Sequence, residues 1–238
     1  MFGLSGFESL PHVIACRKLP APGPPTHAVP RIFTHLIPMK PLHIFVAIGL
    51  IGVPVLHAQQ QLQLKMGDVN VKDPAVEVQK TPNFQAGDVK SKNVPNPRDW
   101  LEIEVEFEVK GPRDTVVKDL LFRYYVGFRD TTGSPRVLSG DVKHINVVTG
   151  ESTYSVAYVP PSTLGEITGD FRRFQPNAVE AVGVEVYYNG VIVGGVSTKG
   201  GKFWESVSPQ QNTVLGKADT PFALLWIDRY AEVDKGGR

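Results

Sequence analysis

The stretch that most constrains this fold is "WLEIEVEFEVKG", which begins at Trp100. Leu101, Ile103, Val105, Phe107 and Val109 alternate with Glu102, Glu104, Glu106 and Glu108. A period of two puts every apolar side chain on one face and every carboxylate on the other. That is a strand with one buried and one wet face. A helix would scatter both sets around its axis. Such a strand cannot stand alone, because its apolar face needs a second layer.

More of the chain reads the same way. In "DLLFRYYVGFRD", Leu120, Phe122, Tyr124, Val126 and Phe128 share one face, and Arg123, Tyr125 and Arg129 the other. "TTGSP" turns the chain and "RVLSGDVKHINVV" returns it, with Gly140 expected as a bulge. "STYSVAYVPPS" is a further strand, stopped by Pro160 and Pro161, after which Ser162 is placed to cap one helical turn. "AVEAVGVEVYYNGVIVGGVS" is a hairpin around Asn189-Gly190, with Tyr188 opposite Val191 and Val186 opposite Val193. "KFWESV" reads as strand, and "PFALLWIDRY" as strand then irregular tail, although its apolar spacing also fits a helix. These are seven or eight short strands with almost no helix. An all-β, two-sheet β-sandwich is the natural closure, with a β-barrel as alternative.

The N-terminal part is of a different kind. "MKPLHIFVAIGLIGVPVLHAQQQ" has a positive head at Lys40, an apolar run from Ile44, and a small residue at Ala58 before a polar stretch. This is the layout of a secretory signal peptide cleaved after Ala58. The run is shorter than a membrane span, and Pro54 interrupts it. Residues 1–38 are proline-rich without apolar period, as expected if translation starts at Met39. A prepilin-type leader at "GLSGFESL" does not fit, because no long apolar helix can follow it. The expected organisation is therefore residues 1–38 as upstream sequence, 39–58 as signal peptide, 59–98 as extended arm or edge strand plus loop, and 99–238 as sandwich. Within 59–98, "LQLKMGDVNVK" has strand character, and Pro74, Pro82, Pro95 and Pro97 punctuate the rest of the segment.

Composition narrows the chemistry. Past Ala58 the chain keeps 21 basic and 23 acidic residues, no Cys, and His144 as its one His. Nothing there makes a nucleic-acid footprint. Thiol nucleophiles and His/Cys metal sites are excluded, and no cofactor motif is present. A Ser-His-Asp mechanism would have to use His144, and no G-x-S-x-G occurs. The glutamates of "EIEVEFE" line one ridge, whereas glycoside hydrolysis needs carboxylates converging across a cleft. They read as a solvated face, opposite Arg123 and Arg129 on the next strand. "GGVSTKGG" reads as a flexible loop, because no capped helix follows it as a phosphate loop requires.

Aromatic residues are the better candidates. Tyr124, Tyr125, Tyr154, Tyr158, Tyr187, Tyr188, Phe203, Trp204 and Trp226 are too many to point inward on alternating strands. Some are expected on a recognition surface for protein or glycan, the rest in the core. The expected contact residues are Phe203 and Trp204, Phe171 and Phe174 of the basic-aromatic "FRRF", and Leu62 and Leu64 of the arm.

Together, "WLEIEVEFEV", "LLFRYYVGF", "YVPPSTL", "VEVYYNG" and "WIDRY" resemble the pilus-like proteins encoded beside type IV pilus genes in verrucomicrobial bacteria of the Akkermansia type. The resemblance spans residues 59–230. It implies an immunoglobulin-like sandwich, exported, associated with a pilus system or the outer membrane, and it carries over no functional residues. The expected function is a non-enzymatic surface or pilus-associated protein with protein partners, acting through its surface or by strand addition through residues 62–78. A carbohydrate-binding module is the alternative, and a hydrolase a more distant one.

Overall fold

The computed structural model describes residues 62–85, 87, 90 and 92–235. The upstream sequence, the signal peptide and its cleavage point lie outside the described residues.

Two antiparallel sheets face each other. The first holds β1 (Val69–Val71), β2 (Ala75–Lys80), β3 (Asp99–Val109), β6 (Ser152–Val159) and β9 (Leu215–Gly216). The second runs in the order β5 (Pro135–Val148), β4 (Val116–Arg129), β7 (Val179–Tyr188) and β8 (Val191–Ser197). The sandwich is therefore as expected, and neither sheet closes into a barrel. Strand β3 is the alternating one. Its five apolar residues are all buried between the sheets, against the buried β4 face of Leu120, Phe122, Tyr124, Val126 and Phe128. Burying large side chains such as these contributes roughly 1.5–3 kcal/mol each.

The N-terminal arm folds back onto its own chain. Strand β1 pairs with residues 107–109 of β3 and β2 with residues 99–104, so both lie end to end along one side of β3. Leu62 and Leu64 pack half-buried against the core.

Open sandwich edges invite pairing with other chains, and here two are closed by crossing segments. Gln210 and Thr213 bond to β5 at Ser139, and Leu215–Gly216 then pairs with β6. Further on, Ala231 donates to Tyr154 of β6, while Ile145 of β5 donates to Glu232. Both segments thus stitch the β6 edge of one sheet to the β5 edge of the other. On the opposite side, Gly67 donates to Val193 of β8.

Several local expectations are corrected. Gly140 is no bulge: it lies in regular register opposite Tyr124. Its role is close approach, because a Cβ there would sit 1.8 Å from the Val214 carbonyl oxygen. Asn189 (φ 49°) and Gly190 (φ 78°) form the expected turn, and Tyr188 faces Val191. Val186, however, faces Gly194 rather than Val193. Val193 is the extra, fully buried residue of a bulge, and Gly194 lies where a Cβ would be 2.2 Å from the Val69 carbonyl oxygen. Gly194 and Gly195 of "GGVSTKGG" thus belong to a strand, not to a flexible loop. "KFWESV" forms a 3₁₀ turn at Phe203–Glu205, and Ile227–Arg229 forms another, where strands were expected. Helix α1 (Pro161–Thr168) starts from Pro160, with Ser162 inside it making no cap bond.

A polar chain crosses the core. The Tyr124 hydroxyl donates to Ser155 Oγ at 2.7 Å, and Ser155 Oγ lies 2.6 Å from His144 Nε2. His144 Nδ1 lies 3.2 and 3.3 Å from the carbonyls of Ala231 and Glu232. Carbonyls only accept, so Nδ1 carries the proton and Nε2 accepts from Ser155. Every member is satisfied, and the chain links β4, β5, β6 and the crossing tail. Burial lowers the His144 pKa to about 4.

Candidate functional site

Sequence reasoning offered His144 as the one available general base. The structure places it 1% exposed, between the Phe107 and Phe122 rings, with Ser155 fully buried beside it. A serine and a histidine in contact are thus brought together, but inside the sandwich, where they hold the two sheets in register.

The glutamate ridge is more informative. It does not face Arg123 and Arg129, because β4 belongs to the other sheet. Arg123 instead pairs with Asp141 and Arg129 with Glu180. Nor is the ridge simply solvated, since residues 222–230 of the tail run over it. Phe222 stacks on Tyr158 at 4.6 Å and meets the Trp100 edge at 5.8 Å. Arg229 grips Glu104 with both Nε and Nη2, at 2.9 and 2.5 Å, while lying 4.1 Å above the Tyr154 ring. Tyr230 donates to the same carboxylate at 2.9 Å. Glu106 pairs with Lys72. Glu102 is buried and accepts from Tyr158 at 2.7 Å and from Gln79 at 3.4 Å.

Environment sets these carboxyls apart. The Arg229 hydrogen bond holds the Glu104 pKa below the usual carboxylate range. Burial, helped by neighbouring Glu104 and Glu77, pushes the Glu102 pKa up. The Arg229 clamp is a bidentate, charge-assisted pair, stronger than a point contact. Arg229→Ala is expected to loosen the tail rather than unfold the sandwich. Limited proteolysis should then cut within residues 222–235 at least severalfold faster, with the melting temperature moved by only a few degrees.

Between the tail and β2 lies a dish of about 330 Å³, lined by Ala75, Glu77, Gln79, Glu102, Glu104, Trp226, Arg229 and Tyr230. Glu77 lies directly opposite Glu102 in the β2–β3 register. Trp226 forms one wall. It is 48% exposed and holds the left-handed backbone conformation, φ 48° and ψ 44°, which is uncommon for a bulky residue. Leu224 and Ile227 beside it are 73% and 61% exposed.

The expected contact residues divide. Trp204 is buried, stacked on Tyr125 at 4.4 Å, and its ring lies where a Gly183 side chain would be. Phe203 is half-buried against it. Phe174 is buried edge-on to Phe128. In this structure Trp204 and Phe174 are thus packed against Tyr125 and Phe128 rather than presented at the surface. Phe171 is 52% exposed and stays available. Trp226 stands among the surplus aromatics of the sequence but not among the expected contact residues. Its signal was the late cluster "LLWIDRY", which pairs an aromatic with an arginine. The functional candidate in that cluster was obscured by its ambiguous helix-or-strand period.

Such a molecule is a two-sheet β-sandwich that offers shallow, ringed surfaces. A protein-family model matches residues 60–236, well over half of the chain. The chain is also similar to a protein of known crystal structure from Akkermansia muciniphila: 29% identity, TM-score 0.62, covering 74% of this chain and 95% of the other. No curated protein matches it. The chain belongs to the pilus-like protein family of verrucomicrobial bacteria, whose members are pilus-associated. Among the described residues, no helix is long and apolar enough to cross a membrane.

Proposed function

We propose that the protein is an exported, non-enzymatic component of a cell-surface or pilus-related assembly, and that it works by protein contact. The observation that carries this reading is the family match over the whole sandwich. Its expected place is the periplasm or the outer surface, delivered by the signal peptide ending at Ala58. The domain organisation read from sequence is retained in this proposal, with residues 62–80 now contributing strands to the sandwich.

Two surfaces are available for contact. One is the outer edge of β2, where no backbone hydrogen bond beyond β3 is formed among the described residues. An extended segment of a partner can add there. Deleting the arm is a poor test, because Val69 is buried in the core. Proline placed singly at Glu77 and at Val78 is better, since successive residues of an edge strand direct their N–H groups to opposite sides. One variant should lose stability. The other should stay folded and recover at least severalfold less pilus component in crosslinked pull-downs. Unchanged recovery with both rules out strand addition.

The second surface is the dish at Trp226. Its exposed indole also supports the alternative reading as a carbohydrate-binding module. Glycan-array binding lost on Trp226→Ala would favour that alternative, and absence of binding would remove it. Leu62, Leu64 and Phe203, half-buried, serve this proposal only as the rim of the packed surface.

A further inference from the structure

We propose that the dish at Trp226 receives the Phe171–Arg173 loop of a second copy of this chain, joining copies head to tail. The inference rests on the reading that the protein works by protein contact, and it names the partner.

The dish favours a cationic and aromatic guest. Glu77 and Glu102 face each other across β2 and β3. Like charges placed directly opposite are unfavourable. Glu102 is shared by Tyr158 and Gln79, and Glu104 is already taken by Arg229 and Tyr230. Among the described residues, Glu77 is engaged by no hydrogen bond or ion pair. A guanidinium entering beside Glu77 would relieve that opposition and lie within reach of the Trp226 face, where a cation is attracted to the ring. Trp226 walls the acidic floor and is 48% exposed, and its near chain neighbours Leu224 and Ile227 are exposed apolar residues. An acidic floor beside an exposed aromatic wall fits a basic residue next to an aromatic one.

The chain carries such a segment. Phe171, Arg172 and Arg173 follow helix α1 and are all exposed. Neither arginine forms a salt bridge among the described residues. The loop is held in shape: Asp170 Oδ1 accepts from the backbone N–H of Arg172 at 2.8 Å and of Arg173 at 3.1 Å. The Phe171 ring rests where a Gly165 side chain would be, and the next aromatic, Phe174, anchors the loop in the core. Its N–H donates to Asp99 Oδ2 at 3.1 Å. Little conformational freedom is therefore lost when the loop docks, which favours association. Loop and dish are different surfaces, so their contact is heterologous and a joined pair keeps one free loop and one free dish, on different copies. Repetition gives a ring or an open filament.

Complementation between two defective copies tests this. Sedimentation velocity on the purified protein should show association that rises with concentration. The loop variant Arg172→Glu/Arg173→Glu and the dish variant Trp226→Ala should each weaken association roughly tenfold or more. Both sites are exposed, and unchanged circular dichroism should confirm folding. Mixing the two variants one to one should yield a dimer and nothing larger, because one intact loop meets one intact dish. Glu77→Lys should also weaken association of the wild type, and restore it when combined with Arg172→Glu/Arg173→Glu. A monomer at every concentration overturns the inference, as does association insensitive to all of these variants. If that monomer still crosslinks to other pilus components through Trp226, the contact reading stands and only the self-partner fails. If Trp226 instead responds to an oligosaccharide in a chemical-shift titration, the contact reading fails at this surface as well.

Discussion

Gly140→Ala is expected to destabilise the protein by about 3 kcal/mol or more, lowering the melting temperature by roughly 6–12 °C. The new methyl would lie 1.8 Å from the Val214 carbonyl oxygen, a distance no packing tolerates. The obstacle is backbone and cannot swing aside. Val214 and Thr213 are bonded to Ser139, the residue next to Gly140, and the chain then pairs with β6. To admit the methyl, the whole crossing segment must lift, opening the seam between the two sheets. Gly133→Ala is the control. It has φ 81° in a turn with open space around it, so only backbone strain of about 1 kcal/mol is expected. Thermal unfolding of both variants measures the difference. Equal losses would mean that the crossing segment does not seal the sandwich.

Acid is expected to weaken the protein in a window set by His144. Folded His144 is held near pKa 4 by burial, against 6.5 for the free side chain. Above pH 6.5 both folded and unfolded chains carry a neutral imidazole, and the group's stabilising contribution is complete. As the pH falls from 6.5 through 4, the unfolded chain takes up a proton that the folded chain refuses, so stability is lost, by about 3 kcal/mol in all. A proton on Nε2 would remove the acceptor for Ser155 and leave a charge between the Phe107 and Phe122 rings. Glu104, Glu106 and Asp130 have lowered pKa values and lose their contributions only below the usual carboxylate range. His144→Gln keeps a donor and an acceptor but cannot titrate. It should cost about 2 kcal/mol at pH 7 and flatten the stability profile between pH 4 and 6.5. Denaturant titrations across that range decide this, and an unchanged slope in His144→Gln would place the acid sensitivity elsewhere.

These two positions also show what the sequence could and could not convey. Strands β3 and β4 were readable because every second residue is apolar over a long run, and a sheet face obeys that period strictly. The Asn189-Gly190 turn was readable because two successive positive φ angles demand those residues. Gly140 and Gly194 were visible as glycines, but their cause was not. Each is small because a segment distant in sequence passes over it, Val214 in one case and Val69 in the other. The same limit hid the glutamate ridge. Its period gave the outward face, yet its cover, the tail at Arg229 and Tyr230, lies more than a hundred residues away. The tail's 3₁₀ turns follow no period of two, so it could not be placed as a strand. Trp204 looked like a surface aromatic because the glycine that receives its ring, Gly183, lies about twenty residues earlier, on β7.

Photo-crosslinking in the native cell, from a reactive residue placed at Trp226, tests the central claim that this outer face is a protein-contact surface in an exported assembly. The account predicts one discrete protein conjugate, formed only in exported material and lost when Arg172 and Arg173 are both changed to Glu. Absence of any protein conjugate at Trp226, with the same labelling at the opposite sheet, would contradict it.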